Sequence, residues 1–244
     1  MGPLTDAERY AFDLRGYLVR SGALTPEEVE LLHAAVDGLA VPEPGESIQS
    51  QRFSGHLERA EPFRSLIDHP AVFDVVRELC GPYVRLDHTY GIVMAPGTGG
   101  LGLHGGGTPF DPAQYYAVRD GSIHCGLIAV QWALVDHAPG AGGFCCIPGS
   151  HKAAFVRPAS GAERFADVVP LAAGDMVLFT EALTHGTTPW QGPGQRRTLL
   201  YKYSPGSSTW AEDQRWPPQL LSQLTDRQKL LMQPPSVAYH EPVV

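Results

Sequence analysis

Two short His-Gly sequences carry the residues of this chain that are best suited to metal chemistry. The first is His104-Gly105-Gly106, and the second, much further along the chain, is His185-Gly186-Thr187. Two histidines and one carboxylate on a rigid scaffold hold Fe(II) by one face and leave three coordination positions open for a cosubstrate and oxygen. The usual place of the carboxylate, two residues after the first histidine, is occupied by Gly106. The pattern therefore indicates an iron site that lacks one protein ligand.

Length and composition limit the class of protein. A chain of 244 residues fits one large domain with one substantial core, and we expect a single domain over residues 1–244. The formal net charge is −8 and no basic run occurs, which disfavours nucleic acid and anionic membrane surfaces as partners. We therefore expect a small-molecule substrate; the sequence does not indicate an oligomeric state.

Cysteine usage and the N-terminal sequence indicate a compartment. The cysteines are too few and too irregularly spaced for a disulfide framework, and no CxxC pair suggests zinc, so we expect reduced thiols in a cytoplasm. The N-terminus is charged and has no apolar core of signal-peptide length, and no apolar stretch reaches about 18 residues. We therefore expect a soluble, unprocessed protein. The cysteines are Cys80, Cys125, Cys145 and Cys146.

The elements that must position the two histidines are predicted to be mainly β-strands. Two helices come first: one starts at the capping box Thr25-Pro26-Glu27-Glu28, and one follows Pro70 and stops at Gly81-Pro82. From Tyr83 onward, short β-rich runs alternate with Gly and Pro turns, which is typical of an antiparallel sandwich or barrel. The predicted strands cover residues 83–94, 123–135, 144–147, 175–180 and 197–204.

These elements divide the chain into three predicted segments. Helices are expected over about 5–80, a β-barrel core over about 83–206, and a C-terminal helical tail over 207–244. Within the core, the segment from Ala95 to Gln114 is predicted to be a long loop. Because a loop of that length inside a compact domain is usually functional, we expect it to contribute to the site.

Five segments, taken in chain order, resemble the phytanoyl-CoA dioxygenase family of Fe(II)/2-oxoglutarate oxygenases. The resemblance extends from about Phe12 to Gly206 and rests on ordered motifs, which are more specific than any single motif. It implies a double-stranded β-helix (a jelly-roll, cupin-like barrel), a mononuclear iron, and 2-oxoglutarate and O2 as cosubstrates. The segments are FDLRGYLVRSGALTPEEVELL, VMAPGTGGLGLHGG, WALVDHAPGAGGFCCIPGSHK, GDMVLFTEALTHG and RRTLLYKYSPG.

The resemblance assigns roles to individual residues. His104 matches the first iron-ligating histidine of the family and His185 the second. Arg196 stands where the family has the arginine that binds the distal carboxylate of 2-oxoglutarate, and a planar guanidinium suits that bidentate contact. Arg197 is adjacent, and strand alternation sends only one of the two inward; spacing favours Arg196. Thr187 matches a family hydroxyl that helps to bind the same carboxylate, although an ordinary turn threonine explains it equally well.

Strand alternation suggests further residues that line the barrel. Gln131 and Trp132 lie on opposite faces of one predicted strand, and Gln131 is the natural polar contact for a cosubstrate. In the strand that begins after Tyr83, Leu86, His88 and Tyr90 share one face, and we expect His88 to have a hydrogen-bonded core role.

Two other histidine patterns are assigned no chemistry. His151, in the motif IPGSHK, matches a family turn that closes one end of the barrel and is expected to be architectural. His56-Leu57-Glu58 is the other His-x-acid pattern, but it precedes the β-rich region, so we interpret it as a chance match.

Gly106 departs from the family pattern, because the family normally has aspartate there. The open position admits water, another carboxylate or chloride. In related halogenases a small residue at this position lets chloride bind iron, although loss of the aspartate is not sufficient for that chemistry. Glu181 and Asp111 are the carboxylates nearest in sequence to the two histidines, and both are expected to be solvated loop acids.

Three functions remain open at this level. The first is an Fe(II)/2-oxoglutarate oxygenase that hydroxylates an unactivated C–H bond of a small metabolite. The second is a halogenase that uses the same residues with chloride bound beside Gly106. The third is a binding protein on a degenerate oxygenase scaffold, without catalysis. The sequence does not identify the substrate, because one fold serves many chemistries.

Overall fold

Two antiparallel sheets form the centre of the protein in a computed structural model, which describes residues 2–41, 50–106, 110–212, 216–237 and 241–244. The larger sheet has six strands, the smaller has four, and a separate hairpin has two. The strands are β1 (Tyr17–Arg20), β2 (Ser50–Phe53), β3 (Arg85–Met94), β4 (Leu101–His104), β5 (Tyr116–Arg119), β6 (Ser122–Cys125), β7 (Ile128–Ala133), β8 (Gly143–Cys146), β9 (Asp167–Val168), β10 (Met176–Thr180), β11 (His185–Thr188) and β12 (Arg196–Ser204).

The order of the strands is that of a jelly roll. Neighbours in the larger sheet follow the order β1-β10-β7-β12-β3-β2, and those in the smaller sheet follow β4-β11-β8-β9. Residues from strands of both sheets pack in one apolar cluster between them, which comprises Ala129, Ala133, Phe144, Cys146, Val169, Leu171, Val177, Phe179 and Leu183. The predicted double-stranded β-helix is confirmed.

Helices cover the outer face of the larger sheet. There, Trp132, Leu199 and Tyr201 belong to a second, larger apolar cluster that includes helical side chains. The Tyr201 hydroxyl donates to the Phe63 carbonyl at 2.6 Å, which ties a helix to the sheet. The helices are α1 (Asp6–Arg15), α2 (Pro26–Asp37), α3 (Glu61–Ser65), α4 (Phe73–Cys80), α5 (Pro218–Leu221) and α6 (Asp226–Leu231).

The predicted helix starts agree with the structure, but the N-terminal segment is not wholly helical. Helix α2 begins at Pro26 with a complete capping box between Thr25 and Glu28, as expected. However, β1 and β2 lie within residues 5–80 and add a strand at each edge of the larger sheet. Each has only four residues, which is too short for a periodic pattern to stand out in the sequence.

The segment from Ala95 to Gln114 is not one loop, because it contains β4. Strand β4 pairs with β11, and the glycines of both segments allow this approach. A Cβ atom on Gly100 would lie 1.8 Å from the Thr187 carbonyl oxygen, and one on Gly186 would lie 2.7 Å from that of Leu101. The strand has only four residues and lies between the glycine pairs 99–100 and 105–106, so its sequence resembles a loop; residues 107–109 lie outside the described part of the chain.

A register shift between β3 and β12 shows that the predicted face shared by Leu86, His88 and Tyr90 is wrong for Leu86. The pairing of β3 with β12 changes between Lys202 and Tyr203, so that Lys202 lies opposite His88 and Tyr203 lies opposite Leu86. Leu86 therefore packs in the cluster on the helical side, and it does not share a face with His88. The sequence did not reveal this extra residue, because alternation alone assumes an unbroken strand.

The predicted strand over 123–135 is divided into β6 and β7, and the C-terminal segment contains the two short helices α5 and α6. All four cysteines are buried free thiols. No helix in the described part of the chain is long and apolar enough to span a membrane.

Candidate metal centre and carboxylate pocket

The two histidines of the His-Gly motifs face each other across paired strands. His104 is the last residue of β4 and His185 the first of β11, and the two are direct register partners. Their ring centroids are 4.3 Å apart. The smaller sheet therefore brings together two imidazoles that are far apart in sequence.

Hydrogen bonds fix the tautomer of both rings. The Nδ1 atom of His104 lies 2.9 Å from the Gly102 carbonyl oxygen, and that of His185 lies 2.8 Å from the Leu183 carbonyl oxygen. Because a carbonyl only accepts, each Nδ1 carries the proton, and each Nε2 keeps the lone pair that a metal requires. Burial lowers the pKa of His185 to about 4, so this ring is neutral at physiological pH.

The surroundings of the pair are apolar on one side and open on the other. The Phe179 ring centroid lies 4.6 Å from that of His185, and Phe144 stacks on the same ring at 6.2 Å. His185 is buried, whereas His104 is exposed. The pair therefore lies at the mouth of the barrel, where a metal ion has access from solvent.

The backbone after His104 leaves little room for a side chain. Gly106 has a φ of +105°, which L-residues rarely adopt. A Cβ atom at this position would lie 3.0 Å from the Thr184 hydroxyl oxygen. Within the described ranges, no group of three or more His, Cys, Asp or Glu side chains is arranged to hold a metal ion. The two histidines are thus the candidate ligands at this position.

Glu181 is not the solvated loop acid that we expected from the sequence. Its side chain is buried, with Oε1 2.6 Å from Lys202 Nζ and Oε2 3.9 Å from His185 Nε2. Burial acts to raise the pKa of Glu181, but the charge and the hydrogen bond of Lys202 lower it more, so the pKa is below its ordinary value. Glu181 is therefore an ionised carboxylate beside the histidine pair.

The sequence did not reveal this environment, because Lys202 belongs to β12 and only the strand order of the larger sheet brings it near Glu181. Asp111, the second candidate acid, accepts a hydrogen bond from the Ala113 backbone N–H at 2.8 Å and thereby caps a turn. A turn cap of this kind is common for aspartate, so Asp111 has a structural explanation.

Arg196 and Arg197 point to opposite sides of the larger sheet, as alternation requires. The Arg197 guanidinium lies 2.8 Å from Asp37 on the outer helix α2. The Arg196 side chain is buried inside the barrel, where it donates to Met94 Sδ at 3.1 Å and to Gln131 Oε1 at 3.5 Å. The arginine favoured by spacing is therefore the one that faces the interior.

The interior around Arg196 contains buried polar atoms without partners. Arg196 Nε, Gln131 Nε2 and the Thr198 hydroxyl have no hydrogen-bond partner. Burial lowers the pKa of Arg196 to about 10, so it remains a cation at neutral pH. Because a buried, uncompensated cation is costly, this arrangement fits an anionic ligand such as a carboxylate. Thr198 was missed in the sequence, although alternation places it on the same face as Arg196.

The other predicted cosubstrate residues lie on interior faces. Gln131 faces the space between the sheets, whereas Trp132 packs on the helical side with its ring 5.1 Å from that of His69. Thr187 lies two residues after His185 on β11, hence on the same face, and is partly buried. In the described structure no side-chain hydrogen bond engages its hydroxyl.

The histidines to which no chemistry was assigned have structural environments. His88 Nδ1 lies 2.7 Å from Asp87 Oδ1, and His151 Nε2 lies 3.0 Å from the Asp13 carbonyl oxygen. His56 is buried against aromatic rings, with the Phe63 centroid 4.9 Å away. These contacts agree with a hydrogen-bonded, an architectural and a packing role respectively.

A cavity of ≈ 290 Å³ adjoins the glycines that follow His104. Gly105, Gly106 and Thr184 form its inner wall. The segment 153–165 forms the outer wall, with Phe155, Phe165 and Arg157 among the lining residues. An apolar cavity with one cationic side chain therefore opens beside the position without a carboxylate.

A jelly roll that pairs two facing histidines with a buried interior arginine defines the class of oxygenase-like barrels. The family model for phytanoyl-CoA dioxygenase (PhyH) matches residues 12–198, so the chain belongs to this family. The ectoine dioxygenase of Streptomyces avermitilis is 28% identical over 161 residues, which cover 62% of this chain and 53% of that protein. The match thus spans about half the length of the curated relative.

Solved structures show the same architecture. HygX from Streptomyces hygroscopicus, with nickel and 2-oxoglutarate bound, is 28% identical and has a TM-score of 0.76, with 89% of this chain and 94% of HygX covered. SnoK, a non-haem α-ketoglutarate-dependent carbocyclase from nogalamycin biosynthesis, is 18% identical with a TM-score of 0.66 and 91% of each chain covered. The likeness to SnoK shows the fold alone.

Proposed function

We propose that this protein is an Fe(II)/2-oxoglutarate-dependent oxygenase that hydroxylates an unactivated C–H bond of a small metabolite. The observation that carries the proposal is the combination of two Nε2 lone pairs at the barrel mouth with a buried Arg196 that has no anionic partner among the described residues. The family membership and the ligands bound to HygX support the same assignment.

In this proposal one group of residues binds the metal and another binds the cosubstrate. His104 and His185 bind iron through Nε2, while their Nδ1 hydrogen bonds hold the rings in position. Arg196, Gln131 and Thr198 bind the distal carboxylate of 2-oxoglutarate, with Thr187 as a further hydroxyl. The iron, together with 2-oxoglutarate, supplies the activation of dioxygen when bound.

The cavity beside Gly106 is the proposed substrate site. Its volume of ≈ 290 Å³ and its aromatic lining suit a small molecule with an apolar portion, and Arg157 offers a contact for an anionic or polar group. In this proposal the cavity walls hold the substrate close to the metal, and positioning of this kind is a major catalytic contribution of a protein scaffold. HygX has been crystallised with hygromycin B, which shows that a member of this structural group accepts a small metabolite.

The position of Glu181 favours hydroxylation over halogenation. A halogenase needs chloride on the iron beside Gly106, but the ionised Glu181 carboxylate lies 3.9 Å from His185 Nε2. The negative charge of this carboxylate repels a second anion bound beside it, and Lys202 offsets part of this repulsion. We therefore propose that chloride is disfavoured at this site.

Anaerobic titration of the metal-free protein with Fe(II) and 2-oxoglutarate tests the proposal. We expect a visible charge-transfer band that requires both additions and is lost in His185→Ala. Absence of the band in both proteins would instead favour a non-catalytic binding protein. With a substrate in hand, a chlorinated product at saturating chloride would overturn the preference for hydroxylation.

A further inference from the structure

The environment of Glu181 shows a conflict that a cation would resolve. Its Oε2 atom faces Nε2 of His185 at 3.9 Å, while the proton of that ring is on Nδ1, hydrogen-bonded to Leu183. A carboxylate oxygen and an imidazole lone pair therefore face each other without a hydrogen between them. Two acceptors in this arrangement repel, unless a cation lies between them.

The rest of the Glu181 residue is held firmly in place. Its backbone N–H donates to the Leu127 carbonyl at 2.9 Å, and Oε1 accepts from Lys202 Nζ at 2.6 Å. Lys202 is itself buried, with Nζ 5.7 Å from the centre of the Tyr90 ring. Oε2 accepts no hydrogen bond from the described residues. One oxygen thus neutralises Lys202, and the other is directed towards the histidine pair.

We propose that Glu181 supplies the protein carboxylate that Gly106 does not, and that it ligates the same iron as His104 and His185. This inference rests on the proposed function. The third ligand then comes from the turn before β11 and not from the end of β4. The φ of +105° at Gly106 explains why the usual position carries no side chain.

The required movement of the carboxylate is small. Adjacent ligands of an octahedral ion lie about 3 Å apart when metal–ligand distances are about 2.1 Å. Oε2 and His185 Nε2 are separated by 3.9 Å, so a rotation about the side-chain bonds of Glu181 brings the oxygen into range. Lys202 can keep its contact with Oε1 during this rotation.

The alternative is a purely structural ion pair between Glu181 and Lys202. Such a pair predicts that loss of the carboxylate changes stability without changing metal binding. Ligation predicts the opposite: metal affinity and the metal's spectrum change, whatever happens to stability. Metal binding in two designed variants therefore separates the two roles.

The experiment is anaerobic calorimetric titration of the metal-free protein with Co(II), followed by the visible spectrum of the Co(II) protein. Glu181→Gln keeps the shape and removes the charge. Because it leaves Lys202 unpaired, the double variant Glu181→Gln/Lys202→Met removes both buried charges and protects against a folding defect. Asp111→Asn is the matched control, since it neutralises the other acid considered for this role.

We expect a loss of Co(II) affinity of at least 10- to 100-fold in both Glu181 variants, with altered visible bands, and wild-type behaviour in Asp111→Asn. Wild-type affinity and spectrum in the double variant would overturn the role of Glu181 and leave the proposed function intact. If the wild-type protein binds neither Co(II) nor Fe(II), both the role of Glu181 and the proposed function fail.

Discussion

The metal end of the site (His104, His185 and Glu181) and its carboxylate pocket (Arg196, Gln131 and Thr198) differ in how their polar groups are satisfied. At the metal end, both Nδ1 atoms and one oxygen of Glu181 have partners, and the unbonded atoms face one another. In the carboxylate pocket, no anion among the described residues pairs with Arg196, and Arg196 Nε, Gln131 Nε2 and the Thr198 hydroxyl lack hydrogen-bond partners. The metal end is therefore suited to bind a cation, and the carboxylate pocket is suited to bind an anion.

This difference has a thermodynamic consequence. A buried charge without a partner costs free energy in the empty protein, and the cost is recovered when an anion binds. The metal end carries no such excess, because Lys202 balances Glu181 and the buried ring of His185 is neutral. Removal of a ligand, or substitution of a binding residue, should therefore have different effects on the metal end and on the carboxylate pocket.

Removal of a histidine should have the largest effect. His185→Ala leaves at most one imidazole at the metal end, and we expect Fe(II) or Co(II) binding to fall below detection. The carboxylate pocket is unchanged, so the free energy of unfolding should fall only by the amount typical of a buried side chain. Calorimetry and denaturant unfolding check the two parts; near-normal metal affinity in His185→Ala would show that the metal end is misassigned.

Substitution of the buried arginine should affect the cosubstrate and not the metal. Arg196→Met removes the charge-assisted hydrogen bonds to the distal carboxylate, and we expect 2-oxoglutarate affinity to fall on the order of 100-fold. Because Arg196→Met also removes a buried charge that has no anionic partner among the described residues, the free energy of unfolding should either stay the same or rise by about 1 kcal/mol.

Arg197→Met is the matched control for this prediction. Arg197 pairs with Asp37 on the outer face, and a surface ion pair contributes about 1 kcal/mol or less. We expect 2-oxoglutarate affinity to be unchanged and stability to fall slightly. If Arg197→Met weakened 2-oxoglutarate binding more than Arg196→Met, the pocket would be assigned to the wrong side of the sheet.

Asp87 offers a satisfied charge cluster for comparison with the unpaired pocket. Burial acts to raise its pKa, but hydrogen bonds from His88 and the Trp210 and Ala211 backbone lower the pKa to about 2. A carboxyl group with a lowered folded-state pKa stabilises the protein above its unfolded value near 4 and loses that contribution as the pH falls towards 2.

We therefore expect Asp87 to contribute about 2 kcal/mol at neutral pH. In Asp87→Asn this contribution should be absent at neutral pH, and the difference from wild type should shrink between pH 4 and pH 2. Urea unfolding across this range measures the difference. A difference that stays constant with pH would show that Asp87 acts through packing and not through its charge.

Restoration of the family aspartate should have the smallest effect. Gly106→Asp places a side chain at a φ of +105° and 3.0 Å from the Thr184 hydroxyl oxygen, so we expect a loss of about 1–2 kcal/mol in stability. Metal affinity should not rise. Gly106→Ala, which imposes the same strain without a carboxylate, is the control; tighter Co(II) binding in the aspartate variant alone would contradict this account of Gly106.

The sequence predicted the parts of the site that depend on local pattern. The resemblance to the family implied the jelly roll and favoured Arg196 over Arg197 by its spacing from His185, while alternation required one of the two arginines to face inward. Strand β4 was missed because its glycine-rich sequence is typical of a loop, and because its partner, β11, lies far along the chain. The face assigned to Leu86 was wrong because a register shift cannot be read from alternation.

Glu181 shows most clearly what the sequence could not provide. Four residues before His185, in a turn, an acid is expected to be solvated, and only the fold brings Lys202 to its other oxygen. Burial and partner choice at this residue depend on contacts between strands of two sheets. Such contacts leave no local signal in a single sequence.

One measurement tests the central claim most directly: a crystal structure of the protein with Co(II) and 2-oxoglutarate, prepared without oxygen. The account predicts the metal on Nε2 of His104 and His185, the Glu181 carboxylate in the position beside Gly106, and the distal carboxylate of 2-oxoglutarate on Arg196. A metal bound away from this histidine pair, or 2-oxoglutarate bound without contact to Arg196, would contradict it.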